Sequence, residues 1–228
     1  MKDGLLERIR NLGHWRVVVR PLAPLEERLS FQECVNIVER HRVSLRGWDY
    51  PHISRGSDET GASGRGDTYF ESWCEWGSFI EFWRMYRSGQ FVSYNALHGE
   101  AETAELAEDI RWLNVVDTIY TVSEFVEFAH RLAKAGTYAD GYVIDISLRN
   151  NKGRKLNAGR GRIPFWGNQS SEAETIQIVR KVEREAIEAG AIPVSLSALL
   201  ELFDAFGWNP DPNQIRGDQE AFYRREFR

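Results

Sequence analysis

The chain has 228 residues, a formal net charge of −5 at pH 7 and 42% hydrophobic residues. This length and composition support a folded core and exclude an intrinsically disordered protein. The two cysteines, Cys34 and Cys74, do not form a CxxC pair, which argues against a disulfide framework or a thiolate metal site. The first residues lack a signal-peptide pattern, and no apolar run approaches the ~18 residues of a membrane span. We therefore expect a cytoplasmic protein without a membrane segment or a cofactor.

Capping boxes predict four helix starts along the chain. In such a box a Ser or Thr precedes a Glu by three residues, so that two backbone N–H groups are satisfied at once. Behind the first two boxes, apolar residues recur at i, i+3, i+4 and i+7, which predicts amphipathic helices. The four boxes are Ser30/Glu33, Ser78/Glu81, Thr121/Glu124 and Ser171/Glu174.

Short β-rich segments lie between the predicted helices. They cover residues 14–20, 43–48, 68–76, 90–97 and 141–149. In the last segment, apolar residues from Tyr142 to Leu148 alternate with polar ones, which is the period of a strand with one buried face. The segments predict an α+β fold, with a mainly antiparallel sheet of about five strands and helices packed on one face.

Two segments have the composition of loops, residues 54–67 and residues 98–109, and the second holds five carboxylates and no Lys or Arg. Towards the C-terminus the pattern predicts a charged helix over about 172–189, a second helix over about 197–206 and an Arg-rich tail. We therefore predict an α+β core domain over residues 1–170. Residues 171–228 are predicted to form a helical C-terminal extension of the same domain.

The stretch from Arg149 to Gly167 carries six cationic side chains and no carboxylate. Glycine lets the backbone approach a phosphate closely, arginine can fork onto phosphate oxygens, and an aromatic ring can stack on a base. The leading hypothesis is a non-enzymatic binding or accessory module that engages a nucleic acid or a nucleotide. The binding residues would be Lys152, Arg154, Lys155, Arg160, Arg162 and Trp166, with Arg46 as a further contact. The alternative is a solvated hairpin tip that pairs with the acidic segment 98–109.

The segment SLRGWDYPHI, residues 44–53, places Arg46, Asp49, Tyr50 and His52 just after a predicted strand. A His and an Asp can act as an acid–base pair if burial moves their pKa values towards neutrality. The alternative is a structural bend, in which Arg46 pairs with Asp49 and the aromatic residues fill the core.

Glu71 and Glu75 share one face of the predicted strand 68–76. Paired carboxylates can hold Mg²⁺ or flank a glycosidic bond, and the alternative is the solvated face of an edge strand. With Asp49 and His52 they form the catalytic set of a second hypothesis, a hydrolase around the RGWDYPH turn. That hypothesis requires the four side chains to converge on one cavity. The histidines show no metal-ligand spacing, and no metal site is predicted.

A third hypothesis is a protein-interaction subunit. In that case the C-terminal helices and the tail AFYRREFR would pack on a protein partner.

Four blocks of the sequence resemble a family of uncharacterised bacterial proteins. The blocks are LRGWDYPHI at 45–53, SW at 72–73, FWRMYRSGQF at 82–91 and FVEFAHRLA at 125–133. Members of this family occur beside Schlafen-type AlbA DNA-binding domains, and the family has no established activity. The resemblance implies a bacterial, intracellular protein linked to nucleic acid or to defence, and it supplies no catalytic residue.

Overall fold

The computed structural model describes residues 1–25, 27–56, 58–100, 111–159, 165 and 167–226. Within them the chain forms helices and strands in an α+β arrangement, which confirms the predicted fold class. The helices are α1 (Leu5–Asn11), α2 (Phe31–His41), α3 (Val115–Lys134), α4 (Arg184–Ala189), α5 (Ala191–Asp204) and α6 (Pro212–Tyr223). The strands are β1 (His14–Pro21), β2 (Gly61–Arg65), β3 (Tyr69–Trp76), β4 (Phe79–Tyr86), β5 (Phe91–Ala96), β6 (Trp112–Asn114), β7 (Tyr142–Arg149), β8 (Arg154–Asn157), β9 (Ser170–Ser171) and β10 (Thr175–Val182).

The main sheet contains seven strands in the order β10-β7-β1-β5-β4-β3-β2, and every neighbouring pair is antiparallel. It is larger than the expected sheet of about five strands because β2, β4 and β10 form from segments predicted as loop or helix. A second, small sheet has the order β6-β8-β9, with β6 and β8 parallel. The predicted strands over 14–20, 68–76, 90–97 and 141–149 are confirmed as β1, β3, β5 and β7.

One face of the main sheet, here called the inner face, carries Trp15, Trp83 and Phe91 and packs against the helices. The long helix α3 lies at the centre of this core, and most of its residues are buried. The side chain of Asn114 accepts a hydrogen bond from the backbone N–H of Asp117 and so caps the start of α3. Alternate residues of β7, from Tyr142 to Leu148, are buried on this face as their period predicted.

The opposite face of the main sheet, here called the outer face, carries His14, Arg16 and Phe82. Arg16 of β1 and Phe82 of β4 both pair with Tyr94 of β5, so their side chains lie on the same face. Helix α1 covers part of it, where Leu5 and Ile9 join an apolar cluster with side chains of β3, β4 and β5. The sheet is therefore fully packed on the inner face and partly covered on the outer face.

The predicted helix behind Ser78/Glu81 is wrong, because this segment is the strand β4. Phe82 packs in the outer cluster and Trp83 in the inner core. A strand that is buried on both faces loses its alternation of apolar and polar residues. Aromatic side chains at consecutive positions then imitate the spacing of a helix.

The C-terminal prediction of a charged helix over 172–189 is also wrong. Ser171 and Glu174 precede β10, an edge strand whose Ile176 and Ile178 are buried while the residues between them are exposed. The helical part of the predicted extension begins at α4, and α5 covers 191–204 where a helix over about 197–206 was expected.

Two further local predictions are corrected. The segment 43–48 is a bend rather than a strand, with one isolated bridge between Val43 and Tyr50. Thr121 and Glu124 lie inside α3 and do not start it, so Ser30/Glu33 is the predicted box that the structure confirms. Of the acidic segment 98–109, residues 101–109 lie outside the described residues.

Across the described ranges, no helix combines the length and the apolar character needed to cross a membrane.

Candidate functional site

A cleft of about 220 Å³ opens between the RGWDYPH turn, the tip of the β3–β4 hairpin and helix α3. Its wall is aromatic on one side, where Trp48 and Phe79 lie. Its charged lining residues are Arg46 and Asp49 from the turn, Glu81 from β4, and Asp117 and Glu124 from α3. Three separate elements therefore contribute ionisable groups to one enclosed space.

Arg46 joins the turn to one face of α3. Asp117, Thr121 and Glu124 follow the helical spacing i, i+4 and i+7, which places them on the same side of the helix. The Arg46 guanidinium donates from Nη1 to Asp117 at 2.5 Å and from Nη2 to Thr121 at 2.7 Å. It also holds both Glu124 oxygens, from Nε at 3.2 Å and from Nη2 at 2.8 Å. Arg46 is thus committed to α3, whereas Asp49 pairs with Arg42 at 2.9 Å.

Glu81 is a buried carboxyl group on the inner face of β4. The indole Nε1 of Trp48 donates a hydrogen bond to its Oε1 at 2.7 Å. Burial raises the pKa of Glu81 to about 8, against the opposing effect of the Trp48 hydrogen bond and with support from the negative charges of Glu124 and Asp49. At pH 7 this carboxyl group therefore holds its proton and can donate it.

Glu124 is the second buried carboxyl group of the cleft. Burial raises its pKa to about 7, although the charge and hydrogen bonds of Arg46 act in the opposite direction. The charge of Glu124 raises the pKa of Glu81, whereas the charges of Asp117 and Asp49 raise the pKa of Glu124. Two carboxyl groups that exchange protons near neutral pH in one cleft are characteristic of acid–base sites.

A stack of rings forms the aromatic wall. The Trp48 ring lies nearly parallel to Phe79 at 4.1 Å and to His52 at 4.3 Å between ring centroids. Trp76 is parallel at 5.8 Å and has 59% of its surface exposed. Tyr50 is buried below, and its hydroxyl group hydrogen bonds to Ser93 at 2.9 Å. The stack fixes the turn against the hairpin, and its exposed ring, Trp76, lines the neighbouring depression together with His52.

The four residues predicted as a catalytic set are not brought together. Asp49 lines the cleft, whereas His52 lines a different depression beside Trp48. Burial lowers the pKa of His52 below its ordinary value, although Asp49 opposes this effect. Glu71 and Glu75 lie on the outer face, because they are in register with residues of β4 that point away from the cleft.

The two glutamates on the outer face are held in ion pairs. Glu71 binds the N-terminal amino group at 2.5 Å and Arg84 at 2.7 Å. Glu75 binds Lys2 at 2.6 Å and also contacts Arg8. These contacts attach the N-terminal segment and α1 to the sheet. A hydrolase at this cleft would therefore need acids other than Glu71 and Glu75.

The basic stretch contains cations in different settings. Arg154 is fully buried, and its Nη1 donates to Glu100 at 2.6 Å and to the Trp112 carbonyl at 3.1 Å. Lys152 is exposed and Lys155 is half-buried. The predicted contacts Arg160, Arg162 and Trp166 lie outside the described residues. Arg154 therefore acts as a structural cation, and phosphate binding by the rest of the stretch stays a prediction.

Glu81 and Glu124 were not predicted as site residues, since both were assigned to capping boxes. A signal does exist in the sequence. Glu81 interrupts the apolar run from Phe79 to Trp83, and Glu124 stands between Val122 and Phe125. A carboxyl group at a buried position is costly unless it is protonated or paired, so such an interruption marks a candidate site.

Comparison with protein-family models found no matching family, and comparison with curated proteins and with solved structures also found no match. Within the described part of the chain, no group of three or more His, Cys, Asp and Glu side chains is arranged to hold a metal ion. The groups available for chemistry in the cleft are therefore its own side chains.

Proposed function

We propose that the protein is a hydrolase whose cleft binds a small polar molecule beside Trp48 and exchanges protons with it through Glu81 and Glu124. The observation that carries this proposal is the placement of two buried carboxyl groups, from β4 and α3, in the wall of one cleft. Both groups titrate near neutral pH, where a general acid and a general base are most effective.

The surroundings of the two acids assign their roles. Glu81 acts as the general acid, because it holds its proton at neutral pH and Trp48 fixes its carboxyl group. Glu124 acts as the general base, because Arg46 stabilises its carboxylate. Glu124 accepts a proton from a water molecule that attacks the substrate, while Glu81 protonates the leaving group. Each carboxyl oxygen has a second lone pair, so the Arg46 contacts leave Glu124 able to accept that proton.

The lining also limits the substrate. A volume of about 220 Å³ admits a molecule smaller than the drug-sized ligands of typical pockets. Among the described lining residues, Asp49, Asp117 and Glu124 outnumber Arg46, so an anionic substrate would be repelled. A neutral or cationic molecule with an apolar surface for the Trp48 wall fits this environment.

The proposal is tested with three classes of small chromogenic substrate, namely esters, amides and glycosides, each without a negative charge. We expect turnover of one class, with a bell-shaped pH profile limited by groups of pKa about 7 and about 8. Glu81→Gln and Glu124→Gln should each lower kcat at least ~100-fold, because each removes one proton-transfer group. Glu75→Gln, on the outer face, is the matched control and should leave turnover unchanged.

A binding measurement complements the kinetics. Saturation-transfer NMR with a library of small neutral and cationic fragments should give ligands whose signal is lost in Trp48→Ala and retained in Trp76→Ala. Equal turnover in wild type and both glutamine variants would contradict the proposal. So would the absence of both turnover and Trp48-dependent fragment binding.

A further inference from the structure

A second group of charged side chains lies on the outer face, across the sheet from the cleft. Arg10, Arg16 and Arg149 surround Tyr94 and His14. The Arg10 guanidinium lies 5.5 Å from the centre of the Tyr94 ring, and Arg16 Nε donates to the Tyr94 hydroxyl group at 3.3 Å. Arg149 stands directly opposite His14 in the pairing of β7 with β1.

The backbone places these residues together through strand register. His14 and Arg16 are two residues apart in β1 and so share a face, and Arg16 pairs with Tyr94 of β5. The side chain of Asn150 donates to the carbonyl groups of Arg10 at 3.0 Å and of Leu12 at 3.2 Å. These bonds fix the end of α1 against the end of β7, so the arginines project from ordered backbone.

Negative charge near the cluster is limited. Asp145 is 3.6 Å from Arg16 and also accepts hydrogen bonds from Ser147 and Gln177. Among the described residues, neither Arg10 nor Arg149 has a carboxylate within salt-bridge distance. Glu100 approaches Gly13, but its other oxygen is taken by Arg154. The cluster therefore carries more positive charge than the described residues around it neutralise.

Two buried nitrogen atoms in the cluster have no hydrogen-bond partner within the described structure, His14 Nε2 and Arg149 Nε. His14 is 2% exposed, and its Nδ1 lies 2.9 Å from the Leu12 carbonyl, so Nδ1 carries the proton in the neutral ring. Burial lowers the pKa of His14, the Leu12 contact opposes this, and the charges of Arg149 and Arg10 lower it further. Burial raises the pKa of Tyr94, but hydrogen bonds from Arg10 and Arg16 bring it below its ordinary value.

We infer that Arg10, Arg16 and Arg149 form a binding site for a phosphate group, with Tyr94 and His14 as its floor. Arginine presents a planar fork that matches phosphate oxygens, and three of them suit a multiply charged anion better than a single carboxylate. An entering anion offsets the effect of Arg10 and Arg149 on His14, so the pKa of His14 rises and protonation of Nε2, which gives it a hydrogen to donate, becomes more favourable. The site borders the basic stretch, since Arg149 is its first residue.

The phosphate can belong to a small molecule or to a nucleic acid strand, and binding measurements separate the two. The probes are inorganic phosphate, adenosine monophosphate and a fluorescein-labelled single-stranded DNA of about 12 nucleotides, at about 50 and about 200 mM salt. We expect binding that weakens as salt rises. Tighter binding of the strand than of the mononucleotide identifies a nucleic acid, and equal affinities identify a small phosphate; both results support the site.

The variant Arg10→Gln/Arg149→Gln should bind the best probe at least tenfold more weakly. The control Arg40→Gln/Arg65→Gln removes the same charge from exposed positions on α2 and β2 and should bind within twofold of wild type. Arg10→Gln alone, at an exposed position, keeps the test valid if the double variant fails to fold. An equal loss in the control would show nonspecific attraction and overturn the proposal, as would the absence of binding by the wild type.

A pH series gives an independent readout. A phosphodiester strand does not titrate between about pH 6 and about pH 8, whereas His14 is expected to take up a proton when an anion binds. The groups that face His14 are Arg10 from α1, Arg149 from β7 and Tyr94 from β5, with Arg16 and Asp145 beyond. Affinity for the strand should increase as pH falls in the wild type and stay constant in His14→Gln. Identical pH profiles of the two proteins would remove His14 from the site.

Discussion

The two faces of the main sheet hold ionisable groups in opposite ways. On the inner side, Glu81 of β4 and Glu124 of the covering helix α3 are both buried, and burial moves their pKa values towards neutrality. On the outer face, Arg10 and Arg16 lie nearer to solvent and place their guanidinium groups around Tyr94. The same alternation of a strand thus creates a proton-exchanging cleft on one side and a cationic surface on the other. Burial, rather than residue type alone, decides which chemistry each face can perform.

The largest expected difference between the faces concerns the removal of one arginine. Arg46→Met leaves the buried Glu124 without its cation and should lower the free energy of unfolding by about 3 kcal/mol at about pH 8. At about pH 5.5 the loss should be smaller, because a protonated Glu124 needs no cation. Arg16→Met on the outer face should cost less than about 1 kcal/mol, since its partner Asp145 is partly exposed. Urea denaturation at both pH values measures this, and equal losses at the two sites would contradict the contrast.

A second prediction concerns Glu81. Its pKa in the folded protein is raised to about 8, so between about pH 5 and about pH 8 the folded state holds a proton that the unfolded state releases. Stability therefore falls as pH rises through this window. In the wild type the free energy of unfolding should fall by an amount on the order of 3 kcal/mol across this window, and Glu81→Gln should abolish that fall. Trp48 can still donate its hydrogen bond to the amide oxygen of the glutamine. Urea titrations of wild type, Glu81→Gln and the outer-face control Glu75→Gln give the three slopes, and parallel slopes would refute this account.

The smallest effect is expected for Trp48→Phe. Phenylalanine keeps an aromatic ring against Phe79 and His52 but removes the indole N–H that binds Glu81. The pKa of Glu81 should rise, because that hydrogen bond lowers it. Stability at neutral pH should fall by about 1 kcal/mol. Thermal unfolding of Trp48→Phe and of Trp76→Phe, whose tryptophan is largely exposed in the wild type, measures the difference in stability. Equal losses of stability in the two variants would show that the Trp48–Glu81 hydrogen bond does not contribute.

The parts of the fold that could be predicted from the sequence are those with one buried face. Strands β1 and β7 and helix α2 show the alternation or the capping pattern that such elements produce. Strand β4 could not be recognised, because apolar clusters cover both of its faces and remove the alternation. Strand β10 was missed because charged residues around it, at 172–174 and 180–188, extend the composition of a surface helix across it.

The candidate site was predicted only in part. The RGWDYPH turn was selected from the sequence, and Arg46 and Asp49 do line the cleft. Glu81 and Glu124 acquire their properties from burial and from neighbouring charges, and they are 43 residues apart in the numbering, from 81 to 124. An acid inside an apolar run marks each position by itself, but local patterns do not report that two distant positions meet, so the pairing became visible only in the assembled fold.

The most direct test of the central claim is a carboxyl titration of the two acids by ¹³C NMR on glutamate-labelled protein, with Glu81→Gln and Glu124→Gln used to assign the resonances. The account predicts midpoints at about 8 for Glu81 and about 7 for Glu124, with a lower midpoint for Glu81 when Glu124 is replaced. Midpoints near the ordinary glutamate value of about 4.3 for both residues would contradict it.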